Sequence, residues 1–445
     1  MNNFDNDNKI IVALATPYGK SAVAIIRISG KGCIELVNGF LSRPLYVGKM
    51  LLNKFKSGDF TENLMAVAFK APASYSGEDT VELYPHGNMA ICDSIIKALI
   101  AAGAVGADRG EFTKRAFLNG KLDLMQCEAL ADIIDAQTSE QLNYGNKRYD
   151  GGFKSLGDAE KLIGDALSAI EAVLHYGDEL EDGETDVTEL NNVSDSIERA
   201  IIMLRTEAEG FAGGKIVNDG FKITLVGAPN VGKSTLLNAL VGKDRAIVTP
   251  IAGTTRDTVD GDYVFKGCKF TVTDTAGIKD ETSDEVEKIG IERAKSAVND
   301  ADAVLMLSAT GSPCPIERKN AAKYIEIENK CDSAADVGED YKRAQDGNKL
   351  KISAKNGINV TALKQLLYDL CPKNYGAVCN HRQYECVVQC LDSLEQAKKQ
   401  TKSAQSLEVV AALLYEAYSA IARLYGEQAD EKVISLVFER FCVGK

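Results

Sequence analysis

The sequence predicts an α+β multidomain chain, in which an N-terminal α+β domain precedes a discontinuous helical domain whose two pieces flank an inserted α/β domain. Three observations predict it. Short β-rich runs share residues 1–124 with one apolar helical stretch, apolar residues recur near every 3.6 positions on both sides of residues 220–373, and strand and helix patterns alternate within 220–373. At 445 residues, 45% apolar and 26% charged, the chain can bury sizeable cores.

In the first 124 residues "IIVALATP", "AVAIIRIS" and "DTVELYP" read as strands and "AICDSIIKALIAAG" as a helix. Residues 125–219 carry two helical stripes, Leu162, Ile163, Ala166, Leu167, Ile170, Val173 and Leu174, then Val193, Ile197, Ile201, Leu204 and Ala208. From Gly220 the runs "KITLVG", "STLLNALVG", "KFTVTDTAG", "AVLMLSA" and "KLKISAK" alternate strand with helix, as a mostly parallel sheet requires. In that series "KYIEIE" places Glu326 and Glu328 where a buried strand is normally apolar, so either one face is exposed or the strand packs atypically. The polar run 332–348 reads as a surface loop. Beyond about residue 374 helices return, with Val410, Leu414, Tyr418 and Ile421 on one face, and are expected to complete the bundle begun by 125–219.

Composition narrows the function classes. The start "MNNFDNDNKIIVALATP" carries no export or membrane address, and no apolar stretch approaches membrane-spanning length. Eleven scattered cysteines without a CxxC suggest reduced thiols in a cytoplasmic protein. The net charge of −13 opposes autonomous nucleic-acid binding, so any RNA contact is expected to be local or shared with a partner. His86, His175 and His381 have no metal-ligand spacing.

"GAPNVGKST", from Gly227, is a phosphate loop lying directly between a strand and a helix. Its glycines let the amides of Asn230, Val231, Gly232, Lys233, Ser234 and Thr235 turn inward around phosphates; Lys233 suits the β and γ oxygens and Ser234 suits Mg2+. Asp274, opening "DTAG" with Thr275, Ala276 and Gly277, fits a second Mg2+ support, and the Gly277 amide can sense the terminal phosphate. In "NKCD" (Asn329, Lys330, Asp332) a carboxylate can accept both N–H donors of guanine. "SAK" (Ser353, Ala354, Lys355) would close over the ring. Together they specify GTP and make the inserted α/β domain one of the Ras-like P-loop GTPase type. Thr254 or Thr255, in "AIVTPIAGTTRDTV", is the expected switch threonine. Ile278 occupies the position where many GTPases carry a water-positioning glutamine, which raises the question of what else orients the attacking water.

Around these motifs lie "ATPYGKSAVAIIRISG", "GEDTVEL", "GEFTKRAFLNGKLDLMQCEALADIIDA" and the terminal "FCVGK". With them the chain resembles, essentially end to end, the tRNA modification GTPase MnmE (TrmE) family. That resemblance implies K+ beside the phosphates, held by Asn230 and by Thr249, Ile251 and Thr254 of a K-loop that also includes Pro250, Ala252 and Gly253. A cation there can do the work of an arginine finger. Thr255 matches the Mg2+ ligand, and Glu287, in "SDEVEKIGIER", matches the residue that orients water. Pro250 stands where the family often has an acidic residue, which implies altered loop stiffness.

The resemblance further implies that residues 1–124 bind a tetrahydrofolate derivative, in its 5-formyl or 5,10-methylene form, through Arg27, Glu82, Lys121 and Lys445, and dimerise. Domain boundaries follow at 124, 219 and 373. "HGN" at His86–Asn88 and Arg109 depart from the usual HGG and proline. Cys442 is a candidate nucleophile only. The implied activity is K+-dependent GTP hydrolysis by a cytoplasmic homodimer whose GTPase domains meet across the dimer. It would work with an FAD-dependent partner, MnmG (GidA), to add a carboxymethylaminomethyl group to carbon 5 of the wobble uridine of tRNA. A ribosome-assembly GTPase of the Era type is the rival, but the basic RNA-binding module typical of that class is missing from the sequence.

Overall fold

The computed structural model describes residues 9–176, 183–228, 230–242, 259–274, 297–309, 323–332, 349–402, 407–427 and 430–445. The chain forms two compact units, Met1–Ala131 with Tyr149–Gly151 and Ser419–Lys445, and Asp132–Arg148 with Gly152–Tyr418.

In the first unit the strands are β1 (Ile11–Leu14), β2 (Ser21–Val23), β3 (Ile26–Ser29), β4 (Leu51–Ser57), β5 (Phe60–Phe69), β6 (Thr80–Tyr84), β7 (His86–Gly87) and β8 (Val105–Gly106), and the helices are α1 (Cys33–Asn38), α2 (Met89–Ala101), α3 (Glu111–Leu118) and α4 (Leu124–Asp135). Six strands form one sheet in the order β4-β5-β6-β3-β1-β8, with only the β1–β8 pairing parallel. Branched and aromatic side chains on one face, Ile26, Ile28, Phe55, Leu64 and Leu83, pack with Cys92, Ile95 and Leu99 of α2. Asn88, the departure from HGG, caps that helix: its side-chain oxygen accepts from the Ala90 amide at 2.9 Å.

Two of the motifs quoted above are joined by an ion pair. Arg115, of "GEFTKR", lies against Glu78 of "GEDTVEL" at 3.0 Å and against Glu111, four residues earlier, at 3.0 Å. Its guanidinium also donates to the Lys9 carbonyl at 3.0 Å, so a nearly buried arginine is satisfied on three sides.

The chain's last helix, Glu431–Glu439, belongs to this unit: Ile434, Val437, Phe438 and Phe441 recur at helical spacing and bury against Leu124, Cys127 and Ala131. Its tail is held tightly. Gly444 has φ 97, and a Cβ there would run into the Leu14 carbonyl, while the Arg109 backbone bridges to Val443.

The second unit continues with α5 (Ser139–Tyr149), α6 (Lys154–Tyr176), α7 (Gly183–Asp219), β9 (Phe221–Gly227), α8 (Lys233–Val241), β10 (Val259–Phe265), β11 (Cys268–Asp274), β12 (Ala303–Ala309), β13 (Lys323–Asn329), β14 (Lys349–Lys351), α9 (Val360–Leu370), α10 (His381–Lys402) and α11 (Leu407–Tyr425). The expected stripes bury: Ile163, Ala166, Ile170 and Val173 on α6, and Val193, Ile197, Ile201 and Leu204 on α7. Leu174, near the end of α6, is exposed instead. Helix α7 packs on both α6 and α10. The Glu207 carboxylate accepts from the Ala377 amide at 2.6 Å and from the Ser155 hydroxyl, fixing the chain where it re-enters the helices.

The sheet of this unit runs β10-β11-β9-β12-β13-β14, parallel throughout except for the β10–β11 hairpin. Strand β13 answers the question raised by its two glutamates. Ile325 and Ile327 are buried in the core while Glu326 and Glu328 lie half-buried on the other face, with Glu328 in register with Lys351. One face is partly exposed, and the strand pairs on both edges.

One buried contact in this unit carries a stability prediction. Arg148 Nη1 meets Asp132 Oδ2 at 2.5 Å with the two side chains 1% and 4% exposed, and among the described residues Arg148 Nε and Nη2 have no hydrogen-bond partner. Removing the carboxylate would leave a buried cation. Asp132→Ala is expected to cost about 3–5 kcal/mol, read as a lowered urea midpoint for this unit.

Candidate functional site

Parallel α/β sheets bind ligands beyond the carboxyl ends of their strands, and three of the expected nucleotide motifs begin there. Strand β9 ends in Gly227 and leads into the phosphate loop, β11 ends in Asp274, and β13 ends in Asn329. The loop demands unusual backbone. Asn230 adopts φ 63 and Gly232 φ 96, both left-handed. A Cβ on Gly232 would overlap the Asn329 amide nitrogen, so only glycine lets the loop approach that side chain.

Helix α8 opens on Lys233, which is 7% exposed and folds back so that its Nζ donates to the carbonyls of Gly227 at 2.7 Å and Ala228 at 3.0 Å. The next residue, Ser234, donates its hydroxyl to Asp274 Oδ2 at 2.8 Å, and Asp274 is 1% exposed. A hydroxyl and a carboxylate oxygen side by side at a helix N-terminus are the hard donors that Mg2+ takes. The pair fits that ion.

Asn329 joins the base-reading end to the phosphate end. It is 3% exposed, its Nδ2 donates to the Val231 carbonyl at 2.9 Å, and its Oδ1 accepts from the Ala354 amide at 3.0 Å. One side chain thus ties the phosphate loop, NKCD and SAK together. Lys330 is exposed with φ 71, and Asp332 and Lys355 are exposed. Ser353, buried, donates its hydroxyl to Asp332 Oδ1 at 2.7 Å. Sequence reasoning missed Asn356, whose Nδ2 reaches the same Oδ1 at 3.4 Å and whose amide donates to Ser353 Oγ at 3.3 Å. Its position directly after SAK was the available signal.

Of the expected site residues, Thr249, Pro250, Ile251, Ala252, Gly253, Thr254, Thr255, Thr275, Ala276, Gly277 and Glu287 lie outside the described residues, as does Ile278. Asn230 is the one expected K+ ligand within them, and it is exposed at the loop. Thr235, on the first turn of α8, is exposed.

In the first unit two of the four expected folate contacts, Arg27 and Glu82, meet directly. Arg27 and Glu82 sit opposite each other on β3 and β6, and Arg27 Nε donates to Glu82 Oε1 at 2.9 Å. The guanidinium lies 5.2 Å from the Tyr75 ring centroid and 5.7 Å from that of Phe112, and donates to the Gly444 carbonyl at 3.3 Å. The chain's last glycine, beside Lys445, therefore closes on the same arginine. Tyr84 donates to Glu82 Oε2 at 2.5 Å; burial and then that hydrogen bond push its hydroxyl up to about 12, so it stays a donor at neutral pH. Both Glu82 oxygens are engaged, yet each keeps a second lone pair for a paired N–H edge. Arginine over aromatic rings beside a carboxylate fits a flat heterocycle bearing acid groups. Lys121 is exposed and donates to the Pro72 carbonyl at 3.2 Å. Cys442 is exposed, and its carbonyl accepts from the Gly110 amide at 3.4 Å.

Among the described residues no helix is long and apolar enough to cross a membrane.

Comparison with known proteins accounts for nearly the whole chain. Residues 10–121 match the family described as "GTP-binding protein TrmE N-terminus" and residues 124–442 match the "MnmE helical domain". Proteins named tRNA modification GTPase MnmE are similar along their full length. That of Thermotoga petrophila is 35% identical over 454 residues, covering 98% of this chain and 99% of its own. That of Aquifex aeolicus is 36% identical over 456 residues, with the same coverage of 98% and 99%. That of Bdellovibrio bacteriovorus is 32% identical over 478 residues, covering 99% of this chain and 98% of its own. With phosphate loop, base-reading motifs and terminal FCVGK standing in one chain that aligns to these relatives from end to end, the protein belongs to the MnmE family of tRNA modification GTPases.

Proposed function

We propose that this protein hydrolyses GTP in a K+-dependent manner and, with the FAD-dependent partner MnmG (GidA), places a carboxymethylaminomethyl group on carbon 5 of the tRNA wobble uridine. The observation that carries the reading is that Asn329 of NKCD bonds both the phosphate loop and SAK while Ser234 of that loop bonds Asp274, in a chain aligned end to end with MnmE proteins. Lys233 would bind the β and γ phosphates, the amides of the loop would orient them, and Asp332 would read guanine. Ser234 and Thr255 would hold Mg2+; Asn230, Thr249, Ile251 and Thr254 would hold K+; together the two ions would neutralise charge building on the phosphates. Glu287 would orient the attacking water, the role that Ile278 cannot take.

In the same reading the segment up to residue 124 binds the reduced folate through Arg27, Glu82, Lys121 and Lys445 and dimerises, residues 125–219 and 374–445 form the helical domain, and 220–373 are the GTPase domain of a cytoplasmic homodimer. An acidic chain of net charge −13 leaves most tRNA phosphate contacts to the partner.

Two measurements test this together. Turnover in K+ buffer is expected to exceed that in Na+ buffer by at least about tenfold, since one preorganised charge at a transferring phosphoryl group is worth that or more. Titration with 5-formyltetrahydrofolate is expected to saturate, and Glu82→Ala to weaken it by about 10–100-fold, the cost of losing charge-assisted hydrogen bonds. Equal rates in the two salts would remove the K+ assignment. Ribosome co-sedimentation without folate binding would favour the ribosome-assembly alternative.

A further inference from the structure

The ten described cysteines are free thiols, and two of them are neighbours in space though about a hundred residues apart in sequence. Cys268 opens β11 just past the β10–β11 hairpin, and Cys371 follows the last residue of α9 in extended conformation. Each thiol is the first influence on the acidity of the other, and the Cys371 thiol donates to the Leu367 carbonyl at 3.5 Å. The surrounding contacts hold them there. Cys268 packs on the core cluster that contains Cys371, the Phe265 and Tyr368 rings meet edge to face at 6.2 Å, and the Lys266 and Lys373 ammonium groups lie 5.3 and 3.6 Å from the Tyr368 centroid. Hairpin and helix end are therefore clamped at two points besides the thiols.

From this packing we infer that Cys268 and Cys371 are a reversible dithiol/disulfide pair, a modification site separate from the nucleotide motifs. Cys268, at the start of β11, is six residues from Asp274, roughly 20 Å along an extended strand. The two thiols differ in the way an exchange reaction needs. The contact with Cys371 holds the Cys268 thiol below its ordinary value, and Cys268 is half-buried; the same contact, then burial, holds Cys371 well above, and it is 4% exposed. Lys373 favours the thiolate of both, whereas Glu140 opposes it at Cys268 and Asp302 at Cys371.

With a low-molecular-weight disulfide as oxidant, the Cys268 thiolate attacks one sulfur, breaks the S–S bond and releases one small thiol that takes the Cys268 proton. Cys371 then gives its proton to the departing sulfur, attacks the Cys268 sulfur and expels the second small thiol. Two protein S–H bonds and one small-molecule S–S bond become one protein S–S bond and two small-molecule S–H bonds, with two electrons passing to the oxidant. The product would tie the hairpin to the exit of the α/β layer, next to where Gly267 faces the Glu140 carboxylate of α5.

The test is peptide mapping of the full-length folded protein after incubation with oxidised glutathione, without denaturant. The expected result is one cross-linked peptide pair joining 268 to 371, two fewer titratable thiols of the eleven, and full reversal by dithiothreitol. Cys268→Ser, at the half-buried position, should lose the cross-link while keeping the wild-type melting curve, and Cys371→Ala should instead trap glutathione on Cys268. A stable glutathione adduct on Cys268 in the wild-type chain, or a cross-link that appears only in denaturant, would overturn the inference. So would the absence of any reaction at Cys268 while the exposed Cys442 is modified.

Discussion

Lys233→Ala is expected to lower GTP turnover by about 10²–10³-fold, the size of effect seen when one preorganised donor to a developing charge is removed. The geometry says why this residue should dominate. Its ammonium sits at the first position of α8, nearly buried, with the carbonyls of Gly227 and Ala228 as its partners at 2.7 and 3.0 Å. The backbone of the loop therefore points carbonyls at the lysine, which leaves the amide side of the curve for an anion. Bringing in phosphate adds charge-assisted bonds to the same ammonium without moving it far, so little ordering cost is left for the reaction itself. The fold should tolerate the change, because the core beneath α8 is built by Leu236, Leu237 and Leu240, not by Lys233. Phosphate release under saturating GTP, paired with a thermal melt, separates the two effects. A melt near wild type with turnover lost is the expected pattern, and turnover retained within threefold would remove Lys233 from the phosphate site.

How much of this was legible in the sequence follows from where each constraint resides. Gly232, Lys233, Ser234 and Asp274 stand out in the sequence because a phosphate-loop motif restricts both residue type and spacing, and the structure brings Ser234 to Asp274. The β13 strand was ambiguous because two glutamates fit either an exposed face or poor pairing; only its neighbours in the sheet decide, and Ile325 and Ile327 in the core settle it. Contacts that join distant segments left no local trace. The Arg27 bond to the Gly444 carbonyl spans 417 positions, and the Arg148–Asp132 pair links two helices whose polar residues each look like ordinary solvent-facing ones. Asn356 was missed for a different reason. An asparagine in a polar turn has many uses, and its aim at Asp332 depends on the turn that Ser353 and Ile358 close by pairing with each other.

Asp332→Asn is expected to shift base preference from guanine to xanthine, changing the ratio of the two affinities by about 10⁴-fold. The carboxylate is exposed at the strand end, and Ser353 Oγ at 2.7 Å and Asn356 Nδ2 at 3.4 Å both hold the same oxygen, Oδ1, so the plane of the group is set before any ligand arrives. Guanine offers two neighbouring N–H donors and needs two acceptors. An asparagine presents one acceptor and one donor, which leaves a donor facing a donor, whereas xanthine has a carbonyl in place of the exocyclic amine and pairs with the amide. Sites built to meet a hydrogen-bonding edge reject the mismatched edge by about 10⁴–10⁵-fold, because the unmet group stays buried and unpaired. The variant should keep its phosphate chemistry, since Asn329 and not Asp332 ties the base end to the loop. Xanthosine triphosphate should therefore restore turnover to within about tenfold of the wild-type rate with GTP. Inosine triphosphate, which lacks only the exocyclic amine, should fall between the two with the wild-type protein. Competition of the three nucleotides against a labelled GTP analogue reads all of this in one experiment. If the variant still preferred guanine, base recognition would have to come from Lys330, Lys355 and the backbone of SAK, with Asp332 reduced to a partner that orders Ser353 and Asn356.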